Sequence, residues 1–254
     1  MLSRLIRQFL FILLHLVVNI LVAIQNVYRR LCVKMCNLPK NQMIKTEVMT
    51  VLGHVPLITK ELKHLVVLVN TDHHSLTDLA RIVIWSLVFG IPYVSFHDIT
   101  GELQKNEEKL FLEVEKLKKG VPGCIKWSDK PNLNGYTNGI QANTTTVNIL
   151  SYNDGRPKLT KCIQQISEDR TLCDRSSDEF TSQEIDRTFQ NLYPKIPDPN
   201  LVLYSGPLCC TYGLLPWHIR LTEFIQISID HSINVNNYLS ALYKYNKCDL
   251  RFGK

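Results

Sequence analysis

The sequence predicts an α/β fold in which a mostly parallel central sheet is flanked by helices. Short runs rich in β-branched residues are typical of strands that are buried on both faces. Longer stretches with an apolar face alternate with these runs, and turn-forming residues separate the two kinds of segment. This alternation of strand and helix is the pattern that produces a parallel sheet with right-handed crossovers.

The helix boundaries are marked by capping residues. A Ser75-x-x-Asp78 capping box opens the first helix of the domain, Gly90 closes it, and a Thr181-x-x-Glu184 box opens a later one. The polar stretch 39–63 precedes the first strand, and the stretch 121–145, rich in Gly, Asn, Pro and Thr, is predicted to be an irregular connection. In chain order, the predicted elements are a strand over 64–69, a helix over 76–89, a strand over 91–96, a helix over 101–120, a strand over 146–151, a helix over 156–173, a helix from 182 to before Pro194, a strand over 201–206, a strand within 221–229 and a helix over 236–246.

The N-terminus carries an apolar run from Phe9 to Ile24, broken only by His15 and Asn19. A cleaved signal peptide would need small residues before the cut, and an interfacial helix would need a clean polar face. Neither is present, so we predict a single membrane helix within 1–47 and one folded domain over 48–254. More basic residues follow the run than precede it, which predicts that the folded domain lies in the cytosol.

The charge distribution argues against nucleic acid as a partner. The net charge is +6, yet residues 1–46 hold seven basic side chains and no acidic one. The rest of the chain holds 22 basic against 23 acidic residues, a net charge of −1. A nucleic-acid-binding domain would need a basic face on its folded part.

The eight cysteines do not form a recognisable pattern. None belongs to a C-x-x-C pair, and their density is far below that of a small disulfide-stabilised secreted protein. We therefore predict reduced thiols in a cytosolic domain.

Residue chemistry alone does not reveal a catalytic centre. The sequence has no G-x-S-x-G, no P-loop, no G-x-G-x-x-G and no H-E-x-x-H. Asp72-His73-His74 could suggest a metal site, but adjacent ligands diverge and no partner pair has the usual spacing, so a solvated turn is the favoured interpretation.

Three stretches and the C-terminus nevertheless resemble one family. Residues 64–74, 196–206 and 213–224, together with the terminal Arg251-Phe252-Gly253, are similar to the cis-prenyltransferases, the undecaprenyl and dehydrodolichyl diphosphate synthases. The most specific part is DPNLVLYSG followed by GLLPWHIRLTEF. Within the family, the similarity is to the non-catalytic partner subunit.

Departures from the family pattern imply that this chain is inactive alone. Where catalytic members carry the aspartate that holds magnesium and the allylic diphosphate, this chain has Asn70, and a neutral amide is a poor ligand for that ion. The Arg-Thr-Gly-Gly-Glu of the isopentenyl diphosphate site is replaced by residues 204–208, YSGPL, which removes the guanidinium fork. Glu223 matches a metal-associated glutamate but lacks its aspartate mate.

The resemblance assigns two further roles. The terminal Arg-x-Gly of the family reaches into the partner's active site, so Arg251 would grip diphosphate oxygens and Gly253 would allow close backbone approach. Residues 213–224 resemble the family's dimer surface, with Trp217 as the apolar anchor; the alternative is that Trp217 is a core residue of its own chain. The predicted interface residues are Trp217, His218, Arg220, Glu223 and Phe224.

The resemblance therefore implies an accessory subunit of a heteromeric enzyme. Its catalytic partner would bind most of the Mg²⁺ and would add isopentenyl diphosphate to farnesyl diphosphate, making the polyprenyl precursor of dolichol at the endoplasmic reticulum membrane. This chain would contact membrane lipid and would supply its C-terminus to the partner's active site. Two alternatives stay open: a self-sufficient homodimeric prenyltransferase, and a receptor or lipid-binding protein that reuses the fold.

Overall fold

The computed structural model describes residues 2–35, 40–69, 74–128, 143–168, 181–192, 196–206, 208–227 and 233–249. The chain divides into two compact units, Met1–Met43 and Ile44–Lys254. In chain order, the elements are α1 (Leu2–Met35), α2 (Lys40–His54), β1 (His64–Leu68), α3 (Leu76–Phe89), β2 (Tyr93–Asp98), α4 (Glu102–Lys105), α5 (Glu107–Lys118), β3 (Cys124–Trp127), β4 (Thr144–Ser151), α6 (Arg156–Glu168), α7 (Ser182–Leu192), β5 (Leu201–Ser205), β6 (Glu223–Ile227) and α8 (Val235–Lys247).

The second unit is built on a six-stranded sheet in the order β3-β4-β2-β1-β5-β6. Every pairing between these described strands is parallel, which confirms the predicted sheet. Along β1, all five residues are buried, because helices cover both faces of the sheet.

The two faces of the sheet differ in their packing. One face carries Leu65 and Val67 of β1 into a large apolar cluster with α2, α3, α5 and α8. The other face carries Val66 and Leu68 into a smaller cluster with α6 and α7. Because side chains alternate along a strand, the polar residues His64 and Ser95 also lie on the second face.

Helix α3 begins and ends as the capping residues predict. Ser75 and Asp78 form a capping box, and Gly90 ends the helix with a left-handed backbone, φ 90°. The amide of Gly90 donates to the carbonyls of Ser86 and Leu87, which satisfies the last turn.

Regular structure is present in the stretch 39–63, for which no element was predicted, and in the stretch 121–145, which was predicted to be irregular. Helix α2 lies within 39–63, and its buried positions Ile44, Glu47, Val48 and Val51 follow helical spacing. Strand β3 lies within 121–145 and pairs with β4 at the edge of the sheet. The predicted helix over 101–120 is divided at Asn106 into α4 and α5.

Helix α1 contains the apolar run from Phe9 to Ile24. Across the residues that the structure describes, no helix reaches the length and apolar content that a bilayer crossing requires. The predicted membrane-spanning helix is therefore not found there. In the described part of the chain, Cys162, Cys209, Cys210 and Cys248 form no disulfide bond.

Candidate functional site

The strand order reverses between β1 and β5. From β1 the chain builds β2, β3 and β4 on one side, and β5 and β6 then extend the sheet on the other. Open α/β sheets bind their ligands outside the carboxyl ends of the strands at such a reversal. The residues that follow β1, β2 and β5 are therefore the candidates for a functional site.

The N-terminus of α3, which follows β1, is already occupied by a carboxylate. Asp78 Oδ2 accepts the Ser75 hydroxyl at 2.6 Å, while Asp78 Oδ1 lies 3.5 Å from Arg81 and accepts the Ile233 amide at 3.3 Å. Helix N-termini attract anions such as phosphate. Here the Asp78 carboxylate already supplies a negative charge at the N-terminus of α3, and this charge repels a second anion.

The aspartate at the end of β2 is also fully engaged. Asp98 is buried, its Oδ1 accepts the amide and hydroxyl of Thr100 at 2.9 and 2.6 Å, and its Oδ2 accepts the Leu103 amide at 2.8 Å. In the described ranges, no three His, Cys, Asp or Glu residues come together as a possible metal site. The described residues at this edge therefore do not fit Mg²⁺, which needs free carboxylate oxygens.

A cleft of about 500 Å³ opens beside Asp98 at the carboxyl ends of β2 and β4. Its described lining contains one cation, Lys105, and no arginine, so it lacks the planar fork that grips a diphosphate. The lining residues are Ile99, Thr100, Gly101, Gln104, Lys105, Ser151, Tyr152 and Asn153.

The residues at the end of β5 are neutral. Tyr204 and Ser205 are half-buried, and the Gln226 amide donates to the Gly206 carbonyl at 2.6 Å. Gly206 has a left-handed backbone, φ 103°. In the sequence, this turn corresponds to the Arg-Thr-Gly-Gly-Glu motif of the family that the chain resembles. Unlike that motif, it has no positively charged side chain.

A buried polar network that sequence analysis missed crosses three strands behind this edge. His64 Nε2 accepts the Ser95 hydroxyl at 2.7 Å, Ser95 Oγ accepts the Asn148 amide at 3.2 Å, and His64 Nδ1 donates to the Pro197 carbonyl at 2.7 Å. Burial lowers the pKa of His64 to about 4. His64 is therefore neutral at pH 7 and holds β1 against β2 and the segment before β5.

His97 connects β2 to the segment between β5 and β6. Its Nε2 lies 3.4 Å from the Tyr212 carbonyl, and its side chain is buried. Burial lowers the pKa of His97, and the nearby Asp154 and Asp98 carboxylates only partly oppose that effect. No motif in the sequence singled out this histidine, because its partners are distant along the chain.

Three of the predicted interface residues meet α7. The Trp217 indole N–H donates to Asp186 at 2.5 Å, and its ring stacks on Phe189 with centroids 5.9 Å apart and planes 4° apart. His218 contacts the edge of Phe189 at 5.5 Å, and the Arg220 guanidinium lies 5.3 Å from the Trp217 ring. Trp217 is thus half-buried against its own chain.

The charges of this cluster lie at its surface. Arg220 is about half exposed, and its guanidinium is 3.5 Å from Asp186 and 3.9 Å from Asp198. Burial raises the pKa of Asp198, although His218 and Arg220 oppose the rise. Burial also lowers the pKa of His218, against the pull of Asp198. The cluster therefore presents one fixed cation between two carboxylates.

The other two predicted interface residues begin β6 and lie on opposite faces of the sheet. Phe224 packs with Trp217 on the smaller apolar cluster. Glu223 lies near the end of α8, where its charge, second to burial, raises the pKa of the Cys248 thiol. One of the predicted interface residues is therefore close to the C-terminal end of α8.

The remaining predicted site residues lie outside the described residues. These are Asn70 with the adjacent Asp72 and His73, and the terminal Arg251 and Gly253. Their roles stay predictions from the resemblance.

Comparisons with known proteins test the resemblance directly. No protein-family model matches the chain. The chain is 32% identical over 184 residues to "Dehydrodolichyl diphosphate synthase complex subunit NUS1" of Homo sapiens, covering 71% of this chain and 62% of that protein. It is 30% identical over 202 residues to the subunit of the same name from Saccharomyces cerevisiae, covering 70% of this chain and 53% of that protein. The chain is a homologue of these subunits.

The fold of this homologue is that of the cis-prenyltransferases. The crystal structure of lavandulyl diphosphate synthase from Lavandula x intermedia, in complex with dimethylallyl diphosphate, matches with a TM-score of 0.53 at 13% identity, covering 76% of this chain and 98% of that one. A probable undecaprenyl diphosphate synthase from Campylobacter jejuni matches with a TM-score of 0.52 at 15% identity, covering 77% of this chain and 100% of that one. The recognition made from the motifs is confirmed. The matches span less than two thirds of the length of the human and yeast subunits.

Proposed function

We propose that this chain is the non-catalytic subunit of a heteromeric long-chain cis-polyprenyl diphosphate synthase that makes the precursor of dolichol. The observation that carries the proposal is the 32% and 30% identity to the human and yeast subunits of the dehydrodolichyl diphosphate synthase complex. The carboxyl edge of the sheet supports it, because Asp78 and Asp98 are both used by the chain's own groups.

The chemistry would belong to the catalytic partner. That subunit would hold Mg²⁺ and would join isopentenyl diphosphate to farnesyl diphosphate and then to the growing product. This chain would complete the complex with its C-terminal tail, in which Arg251 grips diphosphate oxygens and Gly253 lets the backbone approach. A free chain end suits this task because it can extend over a neighbouring subunit.

The pairing surface would be residues 213–224, centred on the Trp217 cluster. An aromatic side chain beside an arginine is typical of the residues that dominate binding energy at interfaces. Two non-glycine residues have left-handed backbones here: Tyr212, at φ 51°, directly before the segment, and Leu215, at φ 30°, within it. Such strained conformations persist where surrounding contacts enforce them, and they are frequent at binding segments.

We also expect α1 to attach the chain to a membrane, that of the endoplasmic reticulum, with the folded unit in the cytosol. Large apolar side chains from Leu10 to Ile24 are each 45–64% exposed, so this helix needs an apolar environment. The product of many isoprene units also partitions into lipid, which favours synthesis at a membrane.

The function is tested by assaying purified full chain with farnesyl and isopentenyl diphosphates and Mg²⁺, alone and after co-expression with a catalytic cis-prenyltransferase subunit. The chain alone is expected to give no product, and the complex is expected to exceed the partner alone by at least about tenfold. Turnover by the chain alone would support the homodimeric enzyme. Failure to pair would support a receptor or lipid-binding protein.

Membrane attachment is tested separately by flotation with phosphatidylcholine vesicles. The wild-type chain should float, and Leu14→Lys combined with Leu21→Lys should stay at the bottom of the gradient, because buried charge in the hydrocarbon region is costly. Equal flotation of the two proteins would contradict the role of α1.

A further inference from the structure

The C-terminal end of α8 is held by a short segment that follows α2. Asn246 Oδ1 accepts the backbone amides of Thr59 and Lys60 at 3.2 and 2.9 Å. The Tyr245 hydroxyl donates to the Glu61 carbonyl at 3.1 Å. Three consecutive residues of this segment therefore contact the last turn of the helix.

The Lys60 side chain makes the contact nearest to the chain terminus. Its ammonium donates to the Cys248 carbonyl at 2.6 Å and to the Tyr245 carbonyl at 3.3 Å, and it lies 4.1 Å from the centre of the Tyr245 ring. A cation beside the last carbonyls of a helix is electrostatically favourable, and the aromatic face adds to the attraction. Lys60 thus has three interactions in one half-buried position.

These contacts lie at the point where the chain leaves the folded unit. Cys248 has an extended backbone, φ −74° and ψ 128°, so the helix has ended there. Arg251 follows three residues later. Among the described residues that follow the helix, the Cys248 carbonyl is the last backbone group that bonds a side chain outside α8.

We propose that Lys60 is a positioning residue that fixes where the C-terminal tail departs from the domain, so that Arg251 reaches the partner's diphosphate. This inference rests on the proposed function of the tail. A guanidinium must sit within hydrogen-bonding distance of its phosphate oxygens, and small misplacements of a positioned group can cost one or two orders of magnitude in rate.

A merely structural role for Lys60 would predict different behaviour. A lysine that only stabilises the end of α8 would lower thermal stability and the yield of complex, without a specific link to Arg251. A positioning role predicts that the effects of Lys60 and Arg251 on activity are not additive, because Lys60 acts only through the tail.

The experiment measures kcat and KM for isopentenyl diphosphate in the complex with the catalytic subunit, for Lys60→Met, Arg251→Ala and the double variant. We expect Lys60→Met to lower kcat/KM about tenfold with the complex still co-eluting, and Arg251→Ala to lower it further. In the Arg251→Ala background, Lys60→Met should change kcat/KM by less than about twofold. Lys60→Arg, which keeps a cation on a long side chain, should restore most of the activity.

Lys63→Met is the matched control, because Lys63 is an exposed lysine of the same segment that pairs with Glu61 at 3.3 Å. It should leave kcat/KM within about twofold of the wild type. If Lys60→Met prevents assembly, Lys60→Gln, which keeps a donor but shortens the reach, is judged by the same criteria.

The outcomes separate the two proposals. Full activity of Lys60→Met beside a loss in Arg251→Ala would overturn the role of Lys60 and leave the tail's function intact. Independent, multiplying losses in the double variant would also overturn the positioning role. Full activity of Arg251→Ala would instead show that the tail itself does not act in the partner's site.

Discussion

Single carboxylates and histidines determine what the carboxyl edge of this sheet can do. Asp78 and Asp98 stand where an open α/β fold gathers its reactive groups, but each of them binds the chain's own donors. His64 is neutral and hydrogen-bonded on both ring nitrogens. A chain with these residues retains the fold of a prenyltransferase while Asp78, Asp98 and His64 bind groups of the chain itself.

The burial of His64 predicts a loss of stability in acid. Its folded-state pKa is about 4 against an unfolded value of 6.5, so the unfolded chain takes up the proton first as the pH falls. The contribution of His64 to the free energy of unfolding should therefore be fully present above pH 6.5, and the free energy should decrease by about 3 kcal/mol as the pH falls towards 4. Denaturant unfolding at several pH values measures this, and the difference from His64→Gln isolates the contribution of His64. Titration of the His64 NMR signals near pH 6.5 would contradict this prediction.

The ion pair between Glu47 and Arg81 predicts a large local effect. Both side chains are buried, and Glu47 also accepts the Trp85 indole N–H at 3.1 Å. Glu47→Gln should lower the free energy of unfolding by about 3 kcal/mol, because Asp78 would then be the one carboxylate paired with the buried guanidinium among the described residues. Glu61→Gln, at an exposed pair, should cost less than about 0.5 kcal/mol. Equal costs by denaturant unfolding would contradict this prediction.

At the scale of elements, the segment between β5 and β6 is held by α6 and α7. Trp217 stacks on α7, and the residue before α6, Gly155, lies directly against the carbonyl of Gly213. The surface that we propose for the partner therefore depends on close packing between segments far apart in the sequence. Its shape is a property of these contacts and not of residues 213–224 alone.

This packing predicts opposite outcomes for two glycine substitutions. A Cβ on Gly155 would overlap the Gly213 carbonyl, so Gly155→Ala should lower the free energy of unfolding by about 1–3 kcal/mol and weaken pairing with the catalytic subunit. Gly53 in α2 has no atom near its Cβ position, and Gly53→Ala should stabilise by about 0.5–1 kcal/mol. Thermal unfolding and size-exclusion co-elution measure both. A tolerated Gly155→Ala would show that the 213–224 segment moves freely.

At the scale of the whole molecule, the folded unit gathers its polar network on one face of the sheet and its larger apolar cluster on the other. The accessory subunit that we propose should gain stability from its partner by mass action, since the partner would bind only the folded form.

We therefore expect the thermal midpoint of the full chain to rise with the concentration of the catalytic subunit. At 100 times the dissociation constant, the gain should correspond to about 2.7 kcal/mol. Trp217→Ala should remove most of this gain, while Leu112→Ala, at an exposed residue of α5, should keep it. A midpoint that is independent of the partner would contradict pairing through the folded unit.

The sequence by itself determined the elements whose signals are local. The β-branched run of β1 and the capping residues of α3 depend on neighbours within a few positions, and both lie where the pattern predicted them. The resemblance to the cis-prenyltransferases was also readable, because the motifs around 64–74 and 196–224 are short and specific.

Only the tertiary structure decided which groups are available for function. Ile44, Val48 and Val51 have helical spacing, and they are buried because α2 packs into the large apolar cluster on one face of the sheet. Strand β3 is a strand because β4 pairs with it. Whether Asp98 is free, whether Trp217 contacts α7 and where Lys60 meets α8 all depend on contacts between distant segments. Local sequence patterns carry no information about such long-range partners, so these features required the folded chain.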